Sequence, residues 1–353
     1  MLTFPLLLVL CLFFSIIMTG LLKRYGQSRL LDQPNHRSSH YIPTPRGGGM
    51  AIVATFLLAS PFLVVSQVSD LYGVSYGSLL LIWIAALGIA LVGFIDDHLS
   101  LEPKTRLIVQ SLSAALVVLA VDGLPELTFF GWQLNLAWFG YALAWLGVIW
   151  FINLYNFMDG IDGLAAGEAV TVCIVMALLH YLFGGEWLFA SLTLLLGSSA
   201  AGFLCWNFPP AKIFMGDGGS GFLGMMLASL MLLDATFTPQ FLWAWLVMLG
   251  VFVVDATWTL LNRYRLKCHL SDAHRTHAYQ YLARHWKSHR NVTLMVLLIN
   301  VLWLAPIAAM IVGGALDGVL GLIIAYLPLT YLAFYLRKVR ISHMAREHLL
   351  VTH

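Results

Sequence analysis

Residues 78–97 read SLLLIWIAALGIALVGFIDD, eighteen uncharged residues that stop on two adjacent carboxylates, Asp96 and Asp97. A helix of that length rises about 27 Å at 1.5 Å per residue, close to the hydrocarbon thickness of a bilayer. The run is predicted to be a membrane span, and the aspartate pair marks where it meets water. Apolar runs of the same kind recur near 2–22, 48–66, 106–121, 134–153, 163–183, 187–206, 219–234, 240–261, 293–313 and 317–336. None shows the period-two alternation of a barrel strand. The expected fold is all-α, a polytopic membrane protein of about eleven transmembrane helices in one domain spanning residues 1–353.

Composition agrees and removes other classes. The chain is 60% hydrophobic and 10% charged, whereas soluble domains average roughly 45–50% and 25%. Disorder needs low hydrophobicity and high net charge, and the formal charge is only +2. With 19 Lys+Arg against 17 Asp+Glu there is no basic excess for a nucleic-acid face. Cys11, Cys173, Cys205 and Cys268 are scattered singly, without metal or disulfide spacing.

Positive charge is retained on the cytoplasmic side of a membrane, and here it falls at alternate connections. Lys and Arg occur after the first span, after the third (Lys104, Arg106), after the seventh (Lys212), throughout 263–290 and in the tail. The intervening loops, near 67–77, 122–133, 184–186, 235–239 and 314–316, hold none. The pattern predicts an external N-terminus, a cytoplasmic C-terminus, and cytoplasmic loops near 23–47, 96–105, 154–162, 207–218 and 262–292. The first span has its positive charges after the apolar run and no small-residue cleavage site, as expected of an uncleaved anchor.

The chemistry-bearing residues gather on those loops. Two carboxylates at a helix C-terminus face the negative end of the macrodipole and repel each other, so Asp96 and Asp97 either sit solvated in a loop or meet a cation. Asp159 and Asp162, in NLYNFMDGIDGLAAG (153–167), could cap the next helix. They could equally border a ligand together with Asn156 and Asn153. Asp217, in FMGDGGSGFLG (214–224), opens a span behind a glycine-rich segment. Such a helix start offers backbone N–H groups to an anion, and an acid among them implies a metal bridging it to a diphosphate. Otherwise Asp217 is a plain cap. The loop HLSDAHRTHAYQ (269–280) carries His274, Arg275 and His277, which suit either an interfacial anchor or a phosphate site. Asp255 lies inside the ninth span, where an acid is a functional candidate unless a buried partner neutralises it. Independent caps have no reason to share one face of the membrane, and these residues share it.

PTPRGGG (43–49) before span two, the Asp96–Asp97 pair with Lys104 and Gln110 after it, NFMDGIDGLA, FMGDGGS and the histidine loop after span nine occur in this order. Together they resemble the polyprenyl-phosphate N-acetylhexosamine-1-phosphate transferase superfamily (MraY/WecA-like) over most of the chain. The resemblance implies transfer of a sugar 1-phosphate from a UDP-N-acetyl sugar to undecaprenyl phosphate, with release of UMP, at the cytoplasmic face of a bacterial inner membrane. It implies Mg2+, with Mn2+ as the alternative ion, surrounding membrane lipids, and room for a homodimer. By motif, Asp96, Asp97, Asp217 and His277 are the expected catalytic residues. Asp217, Asp97 and Asn156 are the expected metal ligands. Arg46, Lys104, Asp159, Asp162, Asn207, Phe214, His274 and Arg275 are the expected substrate contacts, with Phe214 stacking on uracil. Where many members carry a run of histidines, this chain has His277-Ala278-Tyr279-Gln280. HRTHAYQ looks like the branch that begins O-antigen synthesis with a 6-deoxy sugar such as FucNAc or QuiNAc, beside GlcNAc as the other donor.

Two rivals are weaker. A secondary transporter places its carboxylates deep at a repeat interface, whereas these sit at span mouths. A CDP-alcohol phosphotransferase needs an arginine and paired aspartates downstream of its DG motif, and LAAGEAV follows Gly163 here.

Overall fold

The computed structural model describes residues 3–33, 42–66, 74–267 and 275–351, with side chains as far as residue 336. Fourteen α-helices dominate it: α1 (Thr3–Arg29), α2 (Met50–Ser66), α3 (Tyr76–Leu99), α4 (Pro103–Val121), α5 (Ala137–Met158), α6 (Leu164–Phe183), α7 (Trp187–Asn207), α8 (Asp217–Phe237), α9 (Pro239–Met248), α10 (Gly250–Arg265), α11 (Ala278–His285), α12 (His289–Ile299), α13 (Ala305–Val312) and α14 (Gly318–Val351). Two short antiparallel pairs complete it. β1 (Leu31–Asp32) lies on β2 (Thr44–Pro45), and β3 (Leu127–Phe129) forms a hairpin with β4 (Trp132–Leu134).

Among the described residues nine helices are long and apolar enough to cross a bilayer. Two of the eleven expected spans take other forms. The second is α2, apolar but only 17 residues long. The ninth is broken into α9 and α10, which meet at 68°. A break inside a span leaves backbone groups in need of partners that lipid does not provide. Here the Tyr326 hydroxyl, from α14, donates to the Leu246 carbonyl at 2.7 Å. The tenth expected span is α12 and α13 joined by a π-helical turn, Asn300–Leu304, just ahead of Pro306, which has no N–H to donate.

Helix α8 is the axis of the bundle, buried over most of its length, with α3 and α5 packed against it. Small residues let backbones approach closely in such bundles. Gly93 of α3 lies against Gly218, and Gly49 lies against Gly219, with no room for a Cβ at either contact. Gly218 and Gly219 seat the start of α8 against α3 and the residues leading into α2. That packing brings Arg46, Asp97 and Asp217 to one point.

Candidate functional site

Three carboxylates meet two guanidinium groups where α3, α4 and α8 converge. Arg46 pairs with Asp97 through Nη2 and Oδ1, and lies 3.9 Å from Asp217 Oδ1. Arg106, on the first turn of α4, reaches Asp96 Oδ2 at 2.8 Å and Asp217 Oδ2 at 3.4 Å. Asp217 thus stands between the two arginines. The cation that the aspartate pair requires is supplied in part by the chain itself.

Each aspartate also has backbone work. Asp96 Oδ1 accepts the Leu101 N–H at 2.6 Å and closes the turn after α3. Asp97 Oδ1 accepts the Asp217 N–H at 3.2 Å, so the start of α8 is capped from a neighbouring helix. Asp97 Oδ2 is buried with no hydrogen-bond partner among the described residues, a costly condition for a carboxylate oxygen. On the opposite wall, Asn156 donates to Ser220 Oγ at 3.1 Å, and Asn153 exchanges hydrogen bonds with Gln110 at 2.8 and 3.4 Å. Asn156, Asn153 and Gln110 line, with Asp96, Arg106 and Asp217, a cleft of ≈ 470 Å³ between α3, α4, α5 and α8 that is apolar at Ile89, Val92 and Ile152.

Asp159 follows α5 directly, beside this cluster. Burial, then the charges of Asp217 and Asp97, push its carboxyl well above the ordinary range, against the pull of Arg46. Burial disfavours the Arg46 charge, yet Asp97 and Asp217 hold that guanidinium above its ordinary value. Both effects mark an excess of negative charge, four carboxyl groups against two arginines.

Asp162 and Asn207 serve a different joint. Asp162 Oδ1 lies 3.1 Å from His289 Nδ1 and its Oδ2 accepts the Ala211 N–H at 3.0 Å. Asn207, buried, accepts the Gly163 N–H and donates to the Ile213 carbonyl, both at 2.9 Å. These bonds tie the 159–163 turn to the 207–213 loop. Phe214 is half-buried, its backbone clamped between the Pro45 carbonyl and the Gly48 N–H at 2.8 and 2.9 Å. Lys104 is exposed beside Arg106.

His277 is 2% exposed, held at 3.2 Å by Asp255 through Nδ1, and Arg275 is exposed two residues earlier. His274 lies outside the described residues. Sequence reasoning missed Arg106 as a site residue, although it stands ten residues after Asp96, one side of a helical turn from Lys104.

Whether a divalent ion fits can be judged from the donor set. Among the described residues no three His, Cys, Asp or Glu side chains are grouped to hold an ion unaided. Mg2+, however, usually takes one or two carboxylates and completes its shell with water and phosphate oxygens. The unpartnered Asp97 Oδ2 and the surplus of carboxylates suit that arrangement.

Similarity to known proteins covers most of the chain. The family described as glycosyl transferase family 4 matches residues 79–234, the stretch from α3 to α8 that carries Asp96, Asp97, Arg106, Asp159 and Asp217, with Arg46 before it. A probable undecaprenyl-phosphate N-acetylglucosaminyl 1-phosphate transferase of Bacillus subtilis (strain 168) is 33% identical over 299 residues, 82% of this chain and 79% of that protein. A phospho-N-acetylmuramoyl-pentapeptide-transferase of Desulforudis audaxviator (strain MP104C) is 34% identical over 259 residues, 66% of this chain and 73% of that one. The enzyme of the same description from Chlamydia trachomatis serovar L2 is 33% identical over 244 residues, 63% and 68% of the two chains. The chain is a multi-pass membrane protein that belongs to the polyprenyl-phosphate N-acetylhexosamine-1-phosphate transferase superfamily.

Proposed function

We propose that this chain transfers a sugar 1-phosphate from a UDP-N-acetyl sugar to undecaprenyl phosphate and releases UMP, at the cytoplasmic face of a bacterial inner membrane. One observation carries the reading. Asp217, bracketed by Arg46 and Arg106, lines with Asp96 a cleft that is apolar at Ile89, Val92 and Ile152. A diphosphate suits the charged part of such a cleft, and the tail of a lipid-borne phosphate suits the apolar part.

An oxygen of the acceptor phosphate attacks the β-phosphorus of the donor. The new P–O bond forms as the bond to UMP breaks, and UMP leaves with the electron pair. A phosphomonoester has its second pKa near 6, so the acceptor is largely dianionic at pH 7. It needs positioning and charge neutralisation more than a strong base. Arg46 and Arg106 supply fixed positive charge, and Asp96, braced by Leu101 and Arg106, holds the second arginine in place. Direct attack, without a phospho-aspartate, follows from the acceptor's own charge.

Asp217 and Asp97, with Asn156, would hold Mg2+, or Mn2+ in its place. When bound, the ion neutralises the diphosphate and the leaving UMP. Lys104, Phe214 and Arg275 remain proposed contacts to the nucleotide or its phosphates, and His277 acts from within the fold. For the donor, the HRTHAYQ segment favours an N-acetyl-6-deoxyhexose of the FucNAc or QuiNAc kind and entry into O-antigen synthesis. The relatives' names point to GlcNAc and MurNAc-pentapeptide in their own reactions. A screen of UDP-sugars with purified protein, Mg2+ and undecaprenyl phosphate tests the reading. UMP release that requires both lipid phosphate and one UDP-sugar is expected, and no UMP with any of these donors would overturn it.

A further inference from the structure

Helix α11 begins without a capping Ser, Thr, Asp or Asn of its own; the residue at its start is His277. Its first N–H groups are taken by a carboxylate from another helix. Asp255 of α10 accepts the Ala278 N–H through Oδ1 and the Tyr279 N–H through Oδ2, both at 3.0 Å. The same Oδ1 lies 3.2 Å from His277 Nδ1 and accepts the Thr259 hydroxyl at 3.2 Å. Asp255 is buried, and so are His277 and Tyr279. An acid within a membrane-spanning segment is expensive unless its oxygens are satisfied, and here a single carboxylate meets four donors.

The contact does not stop at α11. The Tyr279 hydroxyl donates to the Phe157 carbonyl at 2.9 Å, at the end of α5, and fills the space that a side chain at Gly160 would need. Phe157 and Gly160 flank the turn that carries Asp159, whose charged neighbours include Asp217, Asp97 and Arg46. A path of hydrogen bonds therefore runs from α10 through the start of α11 to the turn that carries Asp159.

We propose that Asp255 and Tyr279 are positioning residues for the transfer reaction. Asp255 fixes the start of α11, and Tyr279 carries that constraint to the Asp159 turn, so that the start of α11 and the Asp159 turn keep one relative geometry. The proposal rests on the transferase reading given above. It assigns Tyr279 a place beside the turn that supports the site.

Tyr279→Phe removes one hydroxyl and leaves the ring. In the purified full-length protein, amide hydrogen exchange over 157–163 should rise about tenfold or more while α8 stays unchanged, because the turn loses one tether locally. Displacement of groups that position substrate costs rate more than ground-state binding. With the preferred donor, kcat should fall about tenfold or more and the donor KM should stay within about threefold. Asp255→Asn should raise exchange in both α11 and 157–163, and should if it fails to fold leave the decision to Tyr279→Phe. Unchanged exchange over 157–163 in Tyr279→Phe, or a loss confined to KM, would overturn the proposal. Exchange reports the tether whether or not a donor is turned over, so a wild type inactive with every UDP-sugar strikes the functional reading and not the tether.

Discussion

Arg106 and Asp217 meet at 3.4 Å across 111 positions of sequence, and the same guanidinium nitrogen lies 2.8 Å from Asp96. One arginine at the head of α4 therefore holds together carboxylates from two other helices. Its removal leaves Asp96 without an ion-pair partner among the described residues and Asp217 with Arg46 alone, at 3.9 Å. We expect Arg106→Ala to lower kcat/KM by about 100-fold or more, the scale of losing a fixed charge-stabilising donor. Steady-state UMP release by Arg106→Ala checks this, and activity within about threefold of the wild type would show that Arg106 has no special place.

Asp217→Asn should abolish turnover while the protein remains folded in detergent, and a chelator should reproduce the loss in the wild type. The amide keeps the shape and removes the charge that a divalent ion needs. A variant with near-normal activity, independent of added Mg2+, would leave Asp217 as a helix-start residue only.

The raised Asp159 carboxyl carries a pH signature in the metal-free protein. Its ordinary value is 3.8, and the folded value lies well above it. Between the two, the folded state holds a proton that the unfolded state has released, so stability declines as pH rises. The contribution is complete below the ordinary value and is lost as pH climbs through the folded one. Asp159→Asn removes the titration. Thermal melting in a chelator should show the wild type losing stability relative to the variant as pH rises, and parallel curves would contradict the assignment.

Every lysine and arginine falls on connections or helix ends assigned to one side. A reporter fused after residue 353 should therefore be cytoplasmic, and one inserted near Asp122 external. The reverse result would turn the site to the wrong face of the membrane.

Much of this fold is legible residue by residue, because lipid demands long uncharged helices and the sequence has no other way to supply them. The break between α9 and α10 is not legible. Its local sequence, MLGVF, is as apolar as any span, and the Tyr326 hydroxyl that supports the bend comes from α14. The site divides in the same way. Asp96, Asp97 and Asp217 announce themselves as charges at span mouths. Arg106 hides beside Lys104, since only the direction of the α4 turn decides which of the two faces the aspartates. Asp162 and Asn207 look like ligands for the same reason that they are good braces. A polar side chain at a membrane edge can satisfy either a ligand or a backbone, and a sequence does not say which backbone comes near.

The central claim is that the bond broken lies between the two phosphates of the donor. Purified protein, undecaprenyl phosphate and the UDP-sugar labelled with 32P at the β-phosphate test it directly. The account predicts that the label moves to the lipid fraction in step with unlabelled UMP. Label retained on a released nucleotide as UDP, with a lipid that gains sugar but no phosphorus, would contradict it.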